Sequence, residues 1–119
     1  MRRMALAAAA VLGILIAACG GGTAATTATG GSIKITLTEF KYSTPTIELK
    51  AGEKVTLELK NAGTVEHDFN MDAVGLKVLI KSGQSATRTL GPLTPGTYEF
   101  YCAVTGHKEA GMKGQLIVK

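Results

Sequence analysis

An all-β antiparallel sandwich is the fold class that this sequence predicts, and three observations carry the prediction. From Ser32 onward apolar and polar residues alternate with a period of two. Turn signals interrupt the alternation at Ala51-Gly52, at Asn61-Ala62-Gly63, at Lys81-Ser82-Gly83 and at Thr94-Pro95-Gly96. Amphipathic helical patterns are nearly absent. Short alternating runs at such spacing are the pattern of strands packed in two layers.

The 119-residue chain opens quite differently. Arg2 and Arg3 precede an uncharged, mostly apolar run that ends at Ala18. A bilayer span needs about 20 such residues, so the run suits a cleavable export signal better than a membrane helix. Its end, Ile16-Ala17-Ala18-Cys19, resembles a bacterial lipobox, in which the cysteine is diacylated and becomes the new N-terminus. An ordinary signal with an incidental cysteine, or an uncleaved anchor, is the competing reading. Residues 1–18 are therefore expected to be a lipoprotein signal peptide, with lipid on Cys19. Residues 20–31 (GGGTAATTATGG) are small and uncharged and read as a flexible tether with a span of roughly 20 Å. The expected location is extracytoplasmic, on a bacterial cell membrane, periplasmic or on the outer face.

Removing the leader leaves 101 residues, enough for one compact domain at 32–119. It also removes two of the 13 Lys/Arg, which leaves a net charge of +2 against the 9 Asp/Glu. With no Lys/Arg cluster and few aromatic residues, nucleic-acid binding is not expected. Cys102 then stands alone in an oxidising compartment. An unpaired thiol there needs an explanation, and metal ligation provides one.

The strands follow in order. Ile33, Ile35 and Leu37 alternate with Lys34, Thr36 and Thr38; Val55, Leu57 and Leu59 alternate with Lys54, Thr56, Glu58 and Lys60. Val65, His67 and Phe69 share one face, and so do Tyr98, Phe100 and Cys102. The stretch from Met71 to Ile80 reads equally as a short helix or an irregular strand. The last strand centres on Leu116, Ile117 and Val118. A register slip of one residue would turn His67 or Cys102 out of the core, so the alternation itself predicts that both point inward at one end of the sandwich.

Chemistry concentrates in the loop before that last strand. Cys102, His107 and Met112 follow one another at intervals of five, and His67 lies 35 residues upstream of Cys102. Gly106 and Gly111 directly precede two of the four, where unusual backbone angles cost least. A thiolate, two imidazoles and a thioether form the donor set of a type 1 copper site, with a His₂Cys plane and a weak axial Met. These are the only two histidines in the chain. Zinc also accepts Cys and His, but it favours four firm donors, and a thioether adds little for it. Met71, the rival thioether, reads as core or loop packing.

Val65-Glu66-His67-Asp68-Phe69, Tyr98-Glu99-Phe100-Tyr101-Cys102 and the Cys-x₄-His-x₄-Met loop together resemble the cupredoxin family of blue-copper proteins. Within it they are similar to the plastocyanin- and azurin-like proteins, and especially to membrane-attached ones of the auracyanin type. The resemblance runs from about Ser32 to Lys119 and is most specific in the C-terminal loop. It implies a Greek-key β-sandwich holding one copper ion, cycling between Cu(I) and Cu(II), on His67, Cys102, His107 and Met112. It also implies that Asp68 ties the His67 strand to the ligand loop. Thr105 departs from the proline that many members have at that position.

The function expected is one-electron transfer between redox protein partners, by a monomer tethered to a membrane. Four protein ligands would leave no open position for substrate, so no enzymatic activity is expected. Copper delivery or storage is the alternative within the binding class. A Cys-His hydrolase leaves Met112 and one histidine unused. Multicopper oxidases need further histidines and a second domain, and a binuclear copper centre needs a second cysteine in the loop. His107, lying mid-loop, is expected to bring its ring to the surface as the electron's way out.

Overall fold

The computed structural model describes residues 26–28 and 31–119. The expected signal peptide and the lipidation site at Cys19 lie outside the described residues. Among the described residues ten strands form two sheets. They are β1 (Thr26–Ala28), β2 (Ser32–Thr38), β3 (Lys41–Tyr42), β4 (Thr46–Leu49) and β5 (Val55–Asn61). Then come β6 (His67–Met71), β7 (Leu76–Ile80), β8 (Ser85–Leu90), β9 (Gly96–Tyr101) and β10 (Lys113–Val118). One sheet has the order β1-β4-β10-β9-β6-β7 and the other β3-β2-β5-β8.

The period-two pattern works as read. Ile33, Ile35 and Leu37 of β2 and Val55, Leu57 and Leu59 of β5 are all buried, while Lys34 and Lys60 face water. β2 and β5 lie in register, Ile33 beside Leu57 and Ile35 beside Leu59, so they form one apolar layer. Ile47, Phe69, Phe100 and Leu116 from the other sheet close the core. Each such side chain contributes about 1.5–3 kcal/mol when fully buried.

The sandwich is the one expected, but its sheets are mixed rather than purely antiparallel. β2 runs parallel to β5, and β4 runs parallel to both β10 and β1. The chain leaves one sheet after β3, crosses to the other for β4 and returns for β5, and such crossovers produce parallel neighbours. Alternation has the same period in both kinds of pairing, so the pattern carries no direction. Part of the tract read as tether is also strand, since Thr26–Ala28 pairs with the edge of β4.

The ambiguous stretch after β6 divides between the two readings. Asp72–Val74 is a single 3₁₀ turn, ended by Gly75 in the left-handed region at φ 68°. β7 follows, antiparallel to β6, with Val78 and Ile80 inward and Leu79 outward.

Candidate metal centre

β6 and β9 bring two of the expected ligands to one end of the sandwich. The two strands meet at Asn70 and Tyr101, which sets His67 near Cys102. Val65, read as sharing His67's inward face, is instead 43% exposed. It precedes β6 in the loop after β5, where strand alternation does not apply. Asn61, at the end of β5, shapes that loop. Its side-chain amide donates to the carbonyls of Val65 and Ile80, each at 2.8 Å, and its oxygen accepts the Gly63 N–H at 2.9 Å. Asn61 is fully buried with these bonds satisfied, as a buried amide must be to avoid a large desolvation cost.

The loop from Cys102 to Met112 folds back on itself. The Cys102 N–H donates to the Met112 carbonyl at 3.0 Å, and the Met112 N–H donates to the His107 carbonyl at 3.0 Å. Gly106 and Gly111 take φ of 83° and 106°, which accounts for glycine at those two turns. Cys102 and Met112 are thereby held side by side at the base, with His107 curled over them.

Three donor atoms converge. Nδ1 of His67 lies 3.2 Å from Nδ1 of His107, and Cys102 Sγ lies 3.4 Å from the same His107 nitrogen. All three atoms lie within 4.8 Å of one another. His67, Cys102 and Met112 are fully buried and His107 is 8% exposed. His107 was expected to reach the surface, but its ring is nearly covered. Phe40 stands edge-on to it with ring centroids 4.8 Å apart, and Phe40 itself is 45% exposed.

The second ring nitrogen of His67 also has a partner. Glu39 Oε1 lies 3.1 Å from Nε2 and accepts the N–H groups of Thr64 at 2.8 Å and Val65 at 3.2 Å. Partial burial works against the Glu39 charge, but the bonds from Thr64, Val65 and His67 outweigh it and hold the carboxyl below its ordinary range. With Nε2–H donating to Glu39, Nδ1 of His67 is a bare lone pair. Two nitrogens and a sulfur packed together in a dry site are then satisfied together by one cation.

Asp68, on β6, reaches toward the ligand loop. Its N–H points to Cys102 Sγ at 3.4 Å, and its Oδ1 accepts the N–H of Ala103 at 2.6 Å and the Asn70 amide at 2.7 Å. Burial pushes the Cys102 thiol up, partly offset by backbone N–H groups from Asp68 and Val104. Metal binding therefore displaces the thiol proton. Tyr42 donates its hydroxyl to the Asp68 carbonyl at 2.7 Å and packs edge-on against Phe69 and Phe100. Burial pushes its phenol far above the usual range, so it stays a donor.

Sequence reading missed Glu39, Phe40, Tyr42 and Asn61. Asn61 had been seen only as part of a turn signal. Glu39 and Phe40 form the two-residue turn between β2 and β3, and their spacing from His67 and His107 gives no sign of contact. Glu66 faces solvent. Met71 is fully buried in the core.

A thiolate with two imidazoles, held dry, is the donor chemistry of a type 1 copper plane, and His67, Cys102 and His107 are placed to bind one copper ion. Residues 6–118 match the family model described as a cupredoxin-like domain. Plastocyanin of Dryopteris crassirhizoma is 34% identical over 94 residues, covering 67% of this chain and 89% of its own. The copper-resistant cuproprotein CopI of Pseudomonas aeruginosa is 26% identical over 137 residues, covering 74% of this chain and 76% of its own. The crystal structure of dithionite-reduced auracyanin from the photosynthetic bacterium Roseiflexus castenholzii superposes with a TM-score of 0.67 at 22% identity. That superposition covers 77% of this chain and 98% of auracyanin, and it speaks for the fold. By sequence, by fold and by its converging donors, this chain belongs to the cupredoxin-like family.

Proposed function

We propose that this protein carries single electrons between redox proteins, as a monomer held by lipid on Cys19 at the extracytoplasmic face of a bacterial membrane. The observation that carries the reading is closure. His67, Cys102 and Met112 are fully buried and His107 is 8% exposed. Burial of the donors disfavours a small substrate at the metal, whereas an electron needs only close approach. Bound there, copper would supply the one-electron Cu(II)/Cu(I) couple, and His67, Cys102, His107 and Met112 would hold it.

The protein's own residues do the rest. The base of the loop and Asp68 fix Cys102; Glu39 fixes the ring of His67; burial excludes water. Phe40, exposed and edge-on to His107, offers a partner an apolar approach to that ligand. Weak redox encounters use small interfaces of this kind. No enzymatic turnover is proposed.

Copper handling is the second reading, favoured by the similarity to CopI, whose name records copper resistance. The two separate experimentally. Cu(II) added to the purified full chain should give an intense Cu–thiolate absorption near roughly 600 nm, lost in Cys102→Ser. An electron carrier then cycles repeatedly between oxidised and reduced forms without releasing copper to a competing chelator. Rapid loss of copper to the chelator on each reduction would favour the handling role.

A further inference from the structure

The turn between β2 and β3 touches both imidazoles, Phe40 at His107 and Glu39 at His67. Glu39 is the more consequential. Its carboxylate sits behind a fully buried ring, 3.1 Å from Nε2, while its own side chain keeps 31% of its surface exposed. The room for it comes from Gly63 in the loop after β5. A Cβ on residue 63 would overlap Glu39 Oε1 and come within 2.9 Å of His67 Nε2. Gly63 has no positive φ to require glycine; the close approach of the carboxylate does. Two segments distant in sequence thus combine to place one negative charge on one nitrogen.

That placement has an electronic consequence. A carboxylate accepting from the far nitrogen fixes the tautomer and makes the imidazole a stronger donor. Stronger donation and a nearby negative charge both favour the more highly charged metal state. We propose that Glu39 is a positioning residue that lowers the reduction potential of the copper couple through His67, and that Gly63 is glycine in order to admit it. The inference rests on the copper reading of the site, and its test is chosen to fail separately.

The measurement is the potential of the copper-loaded full chain by redox titration of its blue absorption. Glu39→Gln keeps an acceptor oxygen for Thr64, Val65 and His67 and removes only the charge. It should load copper and stay blue, with the Cu(II)/Cu(I) affinity ratio about tenfold lower, equivalent to a potential raised by about 59 mV for one electron. Gly63→Ala leaves Glu39 in the chain but displaces its carboxylate, and should move the potential the same way. The double variant should add little to either single change. Should Glu39→Gln be too unstable to load, Glu39→Asp, one methylene short of the ring, carries the same test. A wild-type potential in a copper-loaded Glu39→Gln or Glu39→Asp protein overturns the proposal and leaves Glu39 as a clamp on the Thr64–Val65 backbone. A potential that moves in Glu39→Gln but not in Gly63→Ala overturns the role given to the contact. Failure of the wild-type chain to turn blue with copper defeats the copper reading itself.

Discussion

Asp68 and Cys102 hold each other in place. The Asp68 N–H points to the cysteine sulfur at 3.4 Å, while its carboxylate accepts the N–H of Ala103, the very next residue, at 2.6 Å. One residue thus directs a donor to the sulfur and fixes the backbone that carries it. Asp68→Ala should lower copper affinity by about 10–100-fold, and Asp68→Asn, which keeps an acceptor, should recover most of it. Competition with a copper chelator measures both.

Met112 is fully buried and joined to Cys102 through the backbone. As the proposed thioether donor it favours Cu(II), so Met112→Leu should keep the blue colour and raise the reduction potential. A lower potential in a correctly folded variant would count against an axial thioether.

Gly114 in β10 lies beneath the Phe100 ring, where a Cβ would overlap both that ring and the Pro45 carbonyl. Gly114→Ala should destabilise the domain by about 1–3 kcal/mol through overpacking. Each kcal/mol lowers Tm by roughly 4–8 °C in a domain near this size, which a thermal melt followed by circular dichroism resolves.

Ala110 is exposed on the ligand loop four residues after Gly106, to whose carbonyl its N–H donates at 3.1 Å. A charge there should disturb the proposed docking face without touching a ligand. Ala110→Glu is expected to slow electron exchange with the native partner severalfold by stopped flow, with an unchanged visible spectrum. Lys108 is already engaged by Glu99 at 3.2 Å and lies over the Tyr101 ring, so salt should alter the rate only modestly.

If Cys19 carries the proposed lipid, Cys19→Ser should shift the protein out of the detergent phase or block its maturation, since two acyl chains exceed the single chain at which anchoring is marginal. An unchanged membrane fraction would point to an uncleaved anchor.

The ligand segment was legible because its signal is local. Cys102, His107 and Met112 sit at fixed spacing in one loop, and His67 and Phe69 alternate into the core on β6. What escaped was long-range or directionless. Period-two alternation describes Ile33 and Leu57 equally well in parallel or antiparallel neighbours. Glu39 looked like an ordinary turn carboxylate because its 28-residue separation from His67 is closed only by the fold. Asn61 looked like turn punctuation because nothing in Asn61-Ala62-Gly63 says that the amide is buried and triply bonded. Val65 followed the alternation on paper but lies outside the strand, where the pattern has no authority.

The convergence of His67 and His107 also bears on how the domain stays folded. The two rings are 40 residues apart in sequence, and among the described residues the one cysteine is free. A copper ion bound by both rings would act as a cross-link in a domain without a disulfide, closing a loop from β6 to the end of the ligand segment. Binding to the folded chain alone adds RT ln(1 + [L]/Kd) to its stability, about 4 kcal/mol at a thousandfold excess over Kd. Metal supply, and not sequence alone, then sets how far the fold is stabilised against unfolding.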